Sequence, residues 1–95
     1  MATLHIEHPI TDLSTWLGAF ARFAEARKNA GVSAERIYQP VDDANYIVVQ
    51  LDFDEAAAAM AFKQFLESTV WSSPQASPGL AGAPQARVLE PVTTG

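Results

Sequence analysis

The chain has no cysteine, only two histidines and only six cationic side chains among its 95 residues. Without cysteine there is no disulfide framework, no thiolate nucleophile and no thiolate zinc site. The absence of cysteine also fits a reducing compartment, so a cytoplasmic protein is expected. The cations (Arg22, Arg27, Lys28, Arg36, Lys63, Arg87) are scattered and the net charge is −5, so the summed field repels polyphosphates. Nucleic acid is therefore not an expected partner. No apolar run approaches the ~20 residues that span a bilayer. The opening MATLHIEHPI has no basic stretch followed by an apolar one, so no secretory leader is expected. No glycine-rich phosphate loop and no nucleophile elbow occur.

What is present is a regular change of hydrophobic period. Thr3 to His8 alternates, with Leu4 and Ile6 on one side and Thr3, His5 and Glu7 on the other. Pro9 ends this strand because it cannot donate to a ladder. Asp12 or Thr11 supplies an N-cap. Leu13, Trp16, Leu17, Phe20, Phe23, Ala24 and Arg27 then recur at helical spacing, up to a stop at Gly31. Ala34 to Gln39 reads as a short strand, and Pro40 to Asn45 as a polar hairpin connection. Tyr46 to Phe53 is the strongest strand: Ile47, Val49, Leu51 and Phe53 oppose Tyr46, Val48, Gln50 and Asp52. Asp54 is expected to cap the next helix, with Glu55 in its first turn and Ala58, Phe62, Phe65, Leu66 and Thr69 at core spacing. SSPQASPGLAGAP then reads as a loop, Arg87 to Val92 as a closing strand, and Thr93, Thr94 and Gly95 as a fraying end.

The order βαββαβ predicts one α+β domain over residues 1–95: a four-stranded antiparallel sheet with two helices on one face. Strands one and three should be central neighbours. The helix-facing side collects Leu4, Ile6, Ile37, Ile47, Val49, Leu51 and Phe53; the open side collects Thr3, His5, Glu7, Arg36, Tyr38, Tyr46, Val48 and Gln50. The closing strand reads either way. An open face this aromatic calls for a cover, and a second copy is the simplest one. A standard interface of about 800 Å² per partner, half of it apolar, gains on the order of 10 kcal/mol. Association costs ~4–15 kcal/mol, so a homodimer is expected.

LHIEH, the helix from Leu13, YIVVQLDF, the helix ending FLESTVW, the proline-rich loop and RVLEP together resemble the dimeric α/β-barrel superfamily of ferredoxin-like subunits. The chain is more narrowly similar to small actinobacterial members labelled cyclase or antibiotic-biosynthesis monooxygenase. That resemblance implies a homodimer paired sheet to sheet and, for function, a cofactor-independent monooxygenase or cyclase acting on a hydrophobic aromatic or polyketide-like small molecule. It implies no cofactor. The haem-degrading relatives use an Asn on the first strand and a His after the second helix; neither is here, although Trp71 matches their Trp. An acylphosphatase would need an arginine-bearing phosphate loop where TDLSTW stands.

On the open face, His5 and Glu7 lie two residues apart on one strand, where a carboxylate could hold an imidazole as general acid or base. The plainer reading is a polar pair packed against a second subunit. Tyr38, Tyr46 and Gln50 could orient a ligand oxygen, or simply pack across paired sheets. Arg36 could clamp a ligand carboxylate or bridge to Glu7 or to the partner chain. Trp71 could gate a cavity or plug the end of the core. His5, Glu7 and His8 do not share one face, which argues against a metal site.

Overall fold

A computed structural model describes residues 1–93; Thr94 and Gly95, read as part of a fraying end, lie outside the described residues. Four strands, β1 (Ala2–Pro9), β2 (Val32–Tyr38), β3 (Tyr46–Phe53) and β4 (Gln85–Leu89), form one antiparallel sheet in the order β2-β3-β1-β4. The helices are α1 (Leu13–Arg22), α2 (Ala24–Ala30) and α3 (Ala56–Phe65). This is the expected ferredoxin-like arrangement, with β1 and β3 as central neighbours.

Register fixes the two faces. Leu4 opposes Leu51, Ile6 opposes Val49 and His8 opposes Ile47, so this row points at the helices. His5 opposes Gln50 on one side and Arg87 on the other, so their row lies on the open face. Because side chains alternate along a strand, the closing strand is resolved too. Ala86 and Val88 pair with Ile6 and Leu4 and pack on the core, while Arg87 and Leu89 belong to the open face. This strand begins at Gln85 and ends at Leu89, earlier than its hydrophobic run suggests. Ile37 sits in the helix-facing row yet is 38% exposed, because β2 is an edge strand. Phe53, Leu4, Ile47 and Leu51 are the largest fully buried side chains, met from above by Trp16, Ala59, Phe62, Leu66 and Val70.

The first helix is not the single rod its periodicity predicts. It breaks at Phe23 (φ −103°, ψ 17°) into α1 and α2. The carbonyl of Phe20 accepts from the Phe23 amide at 3.2 Å and from Arg27 Nη1 at 2.6 Å, so an arginine takes the place of the regular fourth-residue amide. The ends behave as read: Asp12 accepts from the Thr15 amide at 2.8 Å, and Gly31 adopts φ +97° at the C-terminus of α2.

Asp54 does not cap α3. Glu55 occupies the N-cap position without a side-chain cap bond, and the first turn carries no acid. After Phe65 the helix widens into a π turn over Leu66–Val70, closed by the Trp71 amide donating to the Leu66 carbonyl at 2.7 Å. The extra residue moves the buried position from Thr69, which is exposed, to Val70. It also carries Trp71 onto the core's end. Among the described residues no helix is long and apolar enough to cross a membrane.

Candidate functional site

Two constellations lie on opposite sides of the sheet. On the open face a continuous hydrogen-bonded network crosses β1, β2 and β3. Thr3 Oγ1 donates to Asp52 Oδ1 at 2.8 Å, and Arg36 holds both Asp52 oxygens at 2.8 Å each. Arg36 Nε also donates to Gln50 Oε1 at 3.2 Å. That bond orients the amide, so Gln50 Nε2 donates to His5 Nδ1 at 3.3 Å. His5 then carries its proton on Nε2, which donates to Glu7 Oε2 at 2.9 Å. The Tyr46 hydroxyl donates to Glu7 Oε1 at 2.8 Å.

The electrostatics follow from these contacts. His5 first, and Tyr46 second, hold the Glu7 carboxyl below its ordinary value, and Glu7 in turn raises the Tyr46 hydroxyl. The bidentate Arg36 fork, with help from Thr3, brings Asp52 down to about 2. Thus His5, Glu7, Arg36, Tyr46 and Gln50 are brought together, as their shared face foretold. Arg36 takes Asp52 as its carboxylate and not Glu7. Tyr38 lies on the same face opposite Val48, half exposed. Trp71 stands apart, on the other side of the sheet. Among the described residues no three His, Asp or Glu side chains gather as metal ligands would.

The second constellation is a cavity of about 70 Å³ between the helix-facing side of the sheet and the helices. Its walls are Ile6, Val49 and Leu51 from the sheet, Trp16, Phe20 and Phe23 from the broken helix, and Phe62, Leu66, Val70 and Trp71 from the second helical segment. Two titratable side chains interrupt this apolar lining, His8 and Arg27. His8 is 3% exposed, and its ring lies 6.4 Å from Trp16. Its Nδ1 contacts the Pro9 carbonyl at 2.9 Å; since a carbonyl only accepts, Nδ1 carries the hydrogen and Nε2 keeps its lone pair. Burial pushes the His8 pKa below the ordinary imidazole value, so the ring is neutral at neutral pH.

Neither side chain stood out as chemistry in the sequence. His8 read as a strand-end residue, although its alternation with Leu4 and Ile6 places it on the apolar face. Arg27 read as one more member of a helical stripe. A cation in phase with Trp16 and Phe20 was the available signal.

The cavity's outer wall is a strap, Ala76–Leu80, from the proline-rich loop. Thr11 N donates to Gly79 O at 2.8 Å, Ala81 N to Pro9 O at 3.2 Å, and Arg22 Nη2 to Gln75 O at 3.2 Å. A second hollow of about 250 Å³ shares Trp71, Ser77, Pro78 and Leu80 with the first. Ligand sites usually occupy ~300–1,000 Å³, so a multi-ring ligand needs the strap to lift and the two spaces to join.

Gly79 seats the strap. It has φ +90°, and a Cβ there would lie 3.0 Å from the Trp16 amide nitrogen, which is backbone and cannot yield. Gly79→Ala is therefore expected to cost about 1–3 kcal/mol of stability in thermal or urea unfolding. Gly18, in α1 with nothing within 4 Å of its added Cβ, is the contrast. Gly18→Ala should stabilise by about 0.5–1 kcal/mol. Equal effects of the two substitutions would contradict the close approach at Trp16.

No protein-family model matches the chain, and no curated protein matches it. Solved structures do. A candidate antibiotic biosynthesis monooxygenase from Bordetella bronchiseptica superposes with a TM-score of 0.72 at 12% identity, over 97% of this chain and 98% of that one. A monooxygenase from the gene ActVA-Orf6 of Streptomyces coelicolor, in complex with the ligand nanaomycin D, gives a TM-score of 0.65 at 14% identity, over 98% and 88%. A dimeric ferredoxin-like protein from an uncultured marine organism gives 0.62 at 12% identity, over 97% of each chain. At such identities the likeness is one of fold.

Proposed function

We propose that the cavity between the sheet and the helices receives an apolar aromatic small molecule, and that His8 withdraws a proton from it. That step would open a cofactor-independent monooxygenase or cyclase reaction. The observation that carries this reading is a neutral imidazole, its Nε2 lone pair unclaimed among the described residues, set into a largely apolar wall. A phenol or an activated C–H compound that loses its proton becomes an electron-rich anion. Such an anion can add O₂ at carbon to give a peroxide that takes the proton back from His8 and loses water to leave a carbonyl, or it can close a ring on a carbonyl of the same molecule. Low local polarity strengthens the base–substrate hydrogen bond and keeps water from competing. The fold shared with a ligand-bound monooxygenase supports the reading.

The same proposal has the chain act as a homodimer, with a second copy covering the network from Thr3 to Tyr46. Support comes from the open face's mixed composition and from a dimeric protein of similar fold. The test is oxygen uptake and product analysis with a panel of polycyclic phenols, without added flavin or metal. Saturable uptake or ring closure is expected. Saturable binding with neither would make the protein a non-catalytic binder and sink the catalytic part.

A second reading puts the chemistry between two paired sheets. There His5, assisted by Glu7, would transfer the proton, while Tyr38, Tyr46 and Gln50 orient an oxygen and Arg36 contacts the ligand; Trp71, on the helix side of the sheet, takes no part in it. The unbroken run of hydrogen bonds through His5 favours it. In that case His5→Ala loses turnover and His8→Ala keeps it; the first reading expects the reverse.

A further inference from the structure

Arg27 is 6% exposed, an unusual place for a guanidinium, and it forms part of the wall of an apolar cavity. Its contacts account for only part of its hydrogen-bonding capacity. Nε donates to Glu35, Nη1 donates to the Phe20 carbonyl at 2.6 Å, and the guanidinium carbon lies 3.6 Å from the centre of the Phe20 ring. An arginine has five N–H donors, so Nη2 and half of Nη1 have no protein acceptor among the described residues. No fully buried side-chain nitrogen or oxygen is left without a partner among those residues, so Nη2 keeps some accessible surface, and the residue that carries it lines the cavity.

The surroundings give that space a direction. Trp16 stacks on Phe20 at 4.9 Å and 22°, and Arg27 lies on Phe20 in turn. His8 approaches the far end of the same stack at Trp16. A base and a fixed cation thus bracket two aromatic rings along one wall. Ser77, a third polar side chain in the lining, already donates to the Ser73 carbonyl. Glu35 is 39% exposed on its side chain, so it neutralises Arg27 from the solvent side.

We propose that Arg27 is the anion-recognising residue of this cavity and that its ligand is an aromatic molecule bearing a carboxylate. The inference rests on the cavity reading above and narrows its substrate class. A carboxylate accepts two parallel N–H bonds from a guanidinium, which suits the unclaimed Nη2. Its ring then lies along Phe20 and Trp16, towards His8. The break at Phe23 serves this arrangement, because it frees the Phe20 carbonyl that anchors Nη1.

The chain's two tryptophans, Trp16 and Trp71, both line the cavity, so quenching of intrinsic fluorescence by iodine reports occupancy directly. Titration compares 4-iodobenzoate with its uncharged near-isostere 4-iodoacetophenone. The carboxylate should bind about tenfold more tightly, the scale of one charge-assisted contact. Arg27→Met should bring the two within about twofold of each other. Glu35→Gln removes the competing carboxylate and should raise the preference. It also serves where Arg27→Met fails to fold. Equal binding of both probes to the native chain overturns the anion site but leaves the cavity. A preference retained by a folded Arg27→Met, or not raised by Glu35→Gln, also overturns it. Saturable quenching by neither probe overturns the cavity reading and this inference together.

Discussion

Turnover in His8→Ala is expected to fall by about a hundredfold or more, with substrate binding little changed, because a positioned base typically contributes 10²–10⁴-fold. Among the described residues the imidazole makes one hydrogen bond, Nδ1 to the Pro9 carbonyl, and this fixes which nitrogen can act. His8→Gln is the informative companion: its amide can keep a donor near that carbonyl but has no basic nitrogen. A structural role predicts that Gln rescues activity; a proton-transfer role predicts that it does not. The pH profile adds a signature. Burial lowers the pKa of His8, so its base form persists below the ordinary imidazole range and the rate falls only at lower pH. Activity of either variant within threefold of the native chain would remove His8 from the mechanism.

The second large effect is on acid stability. Arg36 and Thr3 hold the Asp52 carboxyl down to about 2, against about 3.9 in an unfolded chain. A folded-state value below the unfolded one stabilises fully above the unfolded value and is lost as pH falls through the folded one. The difference corresponds to between about 2 and 3 kcal/mol before screening, present at pH 7 and lost progressively from about pH 5 to pH 1. Asp52 is 4% exposed but the Arg36 side chain is 37% exposed, so solvent screening brings this figure down to about 2 kcal/mol. Glu7 acts in the same direction through His5 and Tyr46, but it is more exposed and lies on another strand. Urea unfolding of Asp52→Asn at pH 7 and pH 2 isolates the contribution. The variant should be about 2 kcal/mol less stable than the native chain at pH 7 and close to it at pH 2. A constant gap across that range would mean the Arg36 pairing does not set the stability of the open face.

The alternation of β1 and β3 was enough to assign both faces of the sheet. A period of two leaves no freedom once Leu4, Ile6, Val49 and Leu51 are buried. The same alternation placed His5, Glu7, Tyr46 and Gln50 together, since cross-strand neighbours follow from register. What periodicity could not reveal is where a helix departs from its period. Phe23 and Leu66–Val70 both keep apolar residues at serviceable spacing. Yet the chain breaks at one and widens at the other to satisfy a carbonyl and to fit Val70 against the core. The closing strand was ambiguous because, read from Arg87 onward, Arg87 with Leu89 opposes Val88 with Glu90, a polar and an apolar residue on each side; only pairing with β1 decides it. The cavity was illegible for a related reason. A void depends on how the Trp16, Phe20 and Phe62 rings fail to fill a space, which no linear pattern encodes.

The most direct measurement is the position of iodine in a crystal of the chain grown with 4-iodobenzoate, located by its anomalous scattering. The prediction is one site per chain on the helix side of the sheet, against Trp16 and Phe20, with the carboxylate at Arg27. Iodine on the open face between two paired sheets, or scattered over the surface, would contradict it.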